Sequence, residues 1–169
     1  RLCNRLFPNR NSTVARAYCD WNASAPILPE AAEAAARALL LGNPSSVHAE
    51  GRAARAAVEQ ARGEVAGLIG VAPSQITFTS GGTEANALAL SPGWTFGKGG
   101  AAPERLLVSA IEHPSVLQGG RFAPAATAQV PVTAQGTAQG IVDLDELRNL
   151  LKQGPALVSV MLANNETGI

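Results

Sequence analysis

The chain has 169 residues, 46% hydrophobic and 15% charged, with 13 basic and 13 acidic side chains and a formal net charge of zero. That balance gives no electrostatic case for nucleic acid or a membrane surface, and 4% aromatics supply no platform for stacked bases. No apolar run approaches the roughly 20 residues of a membrane span, so the composition fits one soluble globular domain or a large piece of one.

Residues 1–16 are basic, with Arg1, Arg5 and Arg10 and no acidic residue before Asp20. They lack an apolar signal-peptide core and stay unassigned, a lead resembling a transit peptide only in composition. Cys3 and Cys19 make no disulfide framework and no Cys-x-x-Cys. Cys19 is expected to pack as a small apolar residue, and reduced cytoplasm is the expected compartment. Residues 17–21 read as a short strand, and Asn22-Ala23-Ser24-Ala25-Pro26 as a polar bend.

Pro29 suits the first turn of an alanine-rich helix over 30–41, which Gly42-Asn43-Pro44 stops. A longer helix is expected over 46–69, with Ala54, Ala57, Val58, Ala61, Val65, Leu68 and Ile69 recurring at three- and four-residue steps. On it Arg52, Arg55 and Arg62 alternate with Glu50, Glu59 and Glu64, as on a solvated face. Gly70 and Pro73 end it.

Gln75 to Thr79 alternates as a strand would. Ser80-Gly81-Gly82-Thr83 then leads into a helix over 83–90. A strand that turns through glycines into a helix presents unpaired amides and the positive end of a dipole, a seat for phosphate or another anion. There is no Gly-x-Gly-x-x-Gly and no P-loop lysine. Alone, the segment reads equally well as a joint whose glycines only permit positive φ.

After a glycine- and proline-rich loop over 91–104, Leu106 to Ala110 is a buried-strand run. It ends at Ile111-Glu112-His113-Pro114. Residues 128–133 read as another strand. Asp143 and Glu146 have capping-box spacing for a helix to about Lys152. Residues 156–162 form a further buried strand that runs into Asn164-Asn165-Glu166. Alternating strands and helices argue for an α/β layer with mainly parallel pairing, in which ligands gather beyond the strand C-termini. Ser80–Thr83, Glu112–His113 and Asn164–Glu166 all fall there. A histidine in that position can stack on an aromatic group or move a proton. An asparagine amide can serve a phenolic oxygen or a carboxylate, or simply a turn. His48 has the aspect of a surface residue, and no histidine–cysteine cluster suggests a metal.

Taken in order, six segments resemble the cysteine desulfurases of NifS/IscS type, in the class V aminotransferase group of pyridoxal-phosphate enzymes. They are Tyr18–Pro26, Gly42–His48, Gly51–Arg55, Phe78–Asn86, Ile111–Leu117 and Val160–Gly168. The resemblance covers 17–169 and implies the truncated, three-layer large domain of the pyridoxal-phosphate fold, an α/β unit with a mainly parallel sheet and flanking helices. It divides the chain into an N-terminal segment, 17–30, and a partial cofactor-binding domain, 31–169.

The resemblance further implies pyridoxal 5'-phosphate as cofactor, its phosphate at Gly82 and Thr83, its ring against His113 and its phenolic oxygen at Asn165. The family usually has alanine at position 82. Asn22, Ala23 and Ser24, with Asn165, would meet the substrate. The implied reaction takes sulfur from L-cysteine, leaving L-alanine and an enzyme persulfide for iron–sulfur cluster or thio-cofactor synthesis, in a homodimer that hands sulfur to an acceptor or scaffold protein. The family's covalent lysine, its ring-nitrogen aspartate and its sulfur-accepting cysteine follow the Asn-Asn-Glu motif. Lys98 and Lys152 lack the Ser-x-His-Lys context, so the expectation is an N-terminal fragment, inactive by itself. A selenocysteine lyase or other class V carbon–sulfur lyase is the alternative within the family, and a non-catalytic remnant the alternative outside it.

Overall fold

The computed structural model describes residues 17–95, 97, 100–134 and 139–169. The lead 1–16 with Cys3, and Lys98, lie outside them. The chain divides into two compact units, Arg1–Phe78 and Thr79–Ile169.

In the first unit, helix α1 spans Pro29–Ala38 and helix α2 spans Ala49–Ile69. Proline opens α1, with Glu30 in its first turn and Arg37 in its last, both matched to the helix dipole. Helix α2 starts three residues later than the periodicity suggests. Asn43 holds the preceding chain as a turn: its side chain accepts from Ser45 N at 2.9 Å and its carbonyl from Ser46 N at 3.0 Å. Gly70, at φ 74°, closes α2 in the left-handed conformation.

The arginines of α2 are less idle than a solvated face implies. Arg52 Nη1 donates to Val47 O at 2.6 Å and Arg55 Nε to Pro44 O at 3.1 Å. Arg62 Nη1 donates to Ile76 O at 2.6 Å while its guanidinium lies 5.2 Å from the Phe78 ring centroid. Three turns of one helix thereby hold the loops on either side of it.

Two expected strands are absent from this unit's described residues. At 17–21 a turn replaces the strand: Ala23 N donates to Asp20 Oδ1 and Ser24 N to Asp20 O, both at 3.3 Å. An aspartate that accepts from nearby backbone amides competes with extended pairing. Cys19 is therefore an exposed free thiol and not a packed one. Residues 76–79 join no ladder, and Arg62 meets the Ile76 carbonyl that a neighbouring strand would otherwise take.

In the second unit, helix α3 spans Gly82–Ala89, strand β1 Leu106–Ser109, helix α4 Pro114–Leu117, strand β2 Thr127–Val130, helix α5 Leu144–Leu151 and strand β3 Leu157–Ser159. The sheet order is β2-β1-β3, and both pairings are parallel, as expected. Strand β1 is central, and all four of its residues are fully buried. Leu106 and Val108, on one face, pack with Leu90, Val116 and Phe122. Burying each such side chain stabilises by about 1.5–3 kcal/mol.

Pro131 follows β2, where a missing N–H ends the ladder. Val132 instead bridges Val142 antiparallel. The expected buried run 156–162 pairs only over Leu157–Ser159, and Leu162 is fully exposed. With β1 as its sole neighbour among the described residues, β3 is covered on one edge alone.

Asp143 caps α5, its Oδ1 accepting from Asp145 N and Glu146 N at 3.0 Å. Its own amide donates to Pro131 O at 2.9 Å, so the reciprocal arm of a capping box is replaced by a tether to the end of β2. At the other end of α5, Arg105 Nη1 donates to Leu150 O and Gly154 O, each at 3.3 Å, where a cation suits the helix dipole.

Gly120 marks the tightest approach to this core. It sits at φ 58°, and a Cβ there would collide with Leu90 O and lie 2.5 Å from Leu90 Cβ. Gly120→Ala therefore combines left-handed strain with overpacking and should destabilise the protein by about 2–4 kcal/mol. Urea unfolding checks this: a midpoint equal to that of the unsubstituted protein would contradict the packing described.

Candidate cofactor-phosphate site

The anion seat expected at Ser80–Thr83 is the start of α3. Gly81 is its N-cap, with φ 168° and ψ 179°. That is extended backbone open to any residue, and neither Gly81 nor Gly82 adopts the left-handed region. The reading of these glycines as mere enablers of a left-handed turn is thus set aside. What they provide is room: a Cβ built on either meets nothing within 4 Å. Alanine at position 82 would fit equally well.

Gly82, Thr83 and Glu84 form the first helical turn, whose amides have no carbonyl to meet within the helix. Thr83 is exposed beside them. Open space, first-turn amides and a hydroxyl make a donor set that fits a phosphate.

Glu84 shapes this turn from the side. Its Oε2 accepts from Ser80 N at 2.6 Å. That backbone bond, then a bond from the Ser80 side chain, hold its carboxyl below the ordinary 4.5. Partial desolvation opposes them and the Arg121 charge assists weakly. Ser80 N is therefore engaged by a carboxylate, and the seat comprises the turn that follows.

His113 lies just beyond β1, as the N-cap of α4. Its Nδ1 accepts from Ser115 N at 3.2 Å and lies 2.8 Å from Ser115 Oγ. Asn86, on α3, donates through Nδ2 to the same Ser115 Oγ at 2.9 Å. The helix of the anion seat is so joined to the loop that carries His113. Glu112, next to it, is 7% exposed, and Ser109 Oγ donates to its Oε1 at 3.1 Å. Sequence reasoning gave Glu112 no separate task. The structure makes it a buried clasp on the end of β1.

The two asparagines after β3 part company. Asn164 Nδ2 donates to Ile111 O at 2.9 Å, and its Oδ1 accepts from Glu166 N and Thr167 N at 2.9 Å. It ties the loop after β3 to the loop after β1. Asn165 is exposed, with Nδ2 donating to Glu166 Oε1 at 3.0 Å. Asn86 carries a contact that sequence spacing does not reveal, because its partner Ser115 comes from another segment, whereas Ser109 and Ser115 bond Glu112 and His113 within their own loop. Asn22, Ala23 and Ser24 belong to the first unit, in the Asp20 turn. Among the described residues no group of three histidine, cysteine or acidic side chains could hold a metal, and no helix is long and apolar enough to cross a membrane.

The strand expected before the seat does not form, so only Glu112–His113 and Asn164–Glu166 follow sheet strands. The third cluster is joined to the His113 loop through Asn86.

A parallel α/β sheet with polar loops beyond the C-terminal ends of its strands has the architecture in which α/β proteins gather ligands. Comparison with known proteins narrows it. The class V aminotransferase family model matches residues 17–169, and the chain belongs to that family. It is 43% identical over 162 residues to a cysteine desulfurase of Frankia sp. (strain EuIK1), covering 89% of this chain and 38% of that protein. It is 37% identical over 156 residues to cysteine desulfurase IscS of Dictyoglomus turgidum, with the same coverage of 89% and 38%. It is 35% identical over 178 residues to the selenocysteine lyase of Homo sapiens, covering 94% and 40%. The chain thus spans about two fifths of the length of these relatives.

The Glu84 contact generates a titration. A carboxyl held below its ordinary value adds stability that is complete above that value and lost as pH falls through the depressed one. The Glu84 carboxyl resonance should accordingly titrate below 4.5, and Glu84→Gln should remove its share of the acid-side loss of stability. A midpoint at or above the ordinary value would show that the Ser80 bond is not held in solution.

Proposed function

We propose that this chain supplies the phosphate end and the ring-side histidine of a pyridoxal-phosphate-dependent cysteine desulfurase acting on L-cysteine. The observation that carries the reading is the union of three separate segments. Asn86 to Ser115, at 2.9 Å, and Asn164 to Ile111, at 2.9 Å, gather the start of α3, His113 and the loop of Asn165 around the end of β1. The family and the desulfurase relatives support it.

In this reading the amides of Gly82 and Thr83 and the Thr83 hydroxyl hold the cofactor's phosphate. His113 lies against its ring and moves a proton. Asn165 serves its phenolic oxygen and the substrate carboxylate, with Asn22, Ala23 and Ser24 at the substrate entrance. The bound cofactor contributes an electron sink, and the protein contributes orientation and electrostatics. His113 is suited to proton transfer because Nδ1 is engaged by Ser115, leaving Nε2 as the working nitrogen.

The covalent lysine, the aspartate for the ring nitrogen and the sulfur-accepting cysteine are assigned to sequence outside these residues. Lys152 is exposed and donates to Asn149 Oδ1 at 3.1 Å, so it is spent on the surface of α5. The full-length protein would act as a homodimer, passing sulfur to an acceptor for iron–sulfur cluster or thio-cofactor synthesis. Selenocysteine lyase chemistry is the second reading, favoured by the human relative at 35% identity.

In the full-length protein, His113→Ala should lower desulfurase kcat by about 100-fold or more while part of the cofactor stays bound, the scale of a lost acid–base group. Unchanged turnover would remove His113 from the reaction. The 169-residue chain alone, mixed with pyridoxal phosphate and dialysed, should keep no lysine-dependent visible absorbance. A band that survives would place the covalent lysine within it.

A further inference from the structure

We propose that Asn86 and Ser115 form a one-way hydrogen-bond relay that fixes both the tautomer and the orientation of His113. The direction follows from the groups. The Asn86 Nδ2 group is a pure donor, and it donates to Ser115 Oγ at 2.9 Å. Because His113 Nδ1 is an acceptor for the Ser115 backbone amide, its 2.8 Å contact with Ser115 Oγ needs the hydroxyl proton as donor. The Ser115 backbone amide donates to the same nitrogen at 3.2 Å. A nitrogen that accepts from a backbone amide holds no proton of its own, so the neutral ring carries its proton on Nε2.

Two donors converging on one ring atom also restrict rotation of the imidazole. Their anchor lies on another helix. Asn86 stands three residues after Thr83 on α3, and residues so spaced are surface neighbours on a helix. The relay therefore sets the ring of His113 in register with the anion seat. Asn86 and Ser115 are positioning residues, which act through His113. Their part in turnover rests on the desulfurase reading, whereas the tautomer and ring orientation do not.

The test uses the full-length protein without cofactor, labelled with 15N-histidine, the His113 resonances being assigned by their loss in His113→Gln. The ring should show an unprotonated, hydrogen-bonded Nδ1 and a protonated Nε2. Asn86→Asp keeps the shape but replaces the donor by an acceptor, which draws the Ser115 hydroxyl proton away from the ring. Ser115→Ala removes the hydroxyl. Both should move the Nδ1 resonance towards that of an unbonded nitrogen. Both should lower kcat about tenfold, the worth of one positioned hydrogen bond, with KM within about twofold. Ser115→Thr should restore both readouts.

An Nδ1-protonated ring in the unsubstituted protein, or an Nδ1 resonance unmoved in both variants, overturns the relay. A resonance that moves while kcat does not overturns its part in turnover. Displaced resonances in a protein with no desulfurase activity uphold the relay and defeat the desulfurase reading instead.

Discussion

Strand β1 is paired along both edges and buried on both faces, and the second unit is arranged around that constraint. An interior strand satisfies its own backbone through the ladders, but the chain that leaves it must satisfy polar groups without a ladder. At this exit Glu112, Ser109 and Asn164 take up the task. Glu112 N donates to Ser109 O at 3.3 Å, Ser109 Oγ to Glu112 Oε1 at 3.1 Å, and Asn164 Nδ2 to Ile111 O at 2.9 Å. His113 projects from a loop fixed on its near side by the buried carboxylate and on its far side by the short helix it caps. Loss of sheet packing would release the loops of His113 and Asn164 together.

The division of labour between neighbouring residues follows from the same economy. Asn164 spends both ends of its amide on the scaffold, and Asn165 beside it is exposed. Glu112 is buried in the clasp while His113 is exposed. In each pair one polar residue builds the loop and the next is presented by it. A site assembled on loops then keeps the precision of the sheet beneath it.

Much of this was legible in the residues. The apolar run at 106–109, the Asp143 cap and the proline and glycine ends of the helices act through local chemistry, and each element appears within a few residues of its expected place. The strands expected at 17–21 and 75–79 show the limit. Alternation alone supports a strand only where a partner exists. Asp20 offered the first segment a turn, and Arg62 supplied a carbonyl of the second with a guanidinium. For the candidate site, His113 and the start of α3 could be named from their positions. The roles of Asn86 and Asn164 could not, because their partners are 29 and 53 residues away, and a hydrogen bond across a fold leaves no periodic trace. Of the two readings open for the glycines at 81 and 82, the left-handed turn is not the one adopted, and a Cβ at either position would meet nothing within 4 Å.

The place of β1 in the sheet also orders events during synthesis. Its two neighbours both follow it in the chain, Leu106 pairing with Thr127 and then with Leu157. At about 5–20 residues per second, the second partner leaves the ribosome roughly 3–10 s after β1. Through that interval the fully buried strand of the unit has first two open edges and then, once β2 is made, one, and it borders the segment that carries His113. The nascent chain is most in need of a chaperone there, before the site it is building can bind anything.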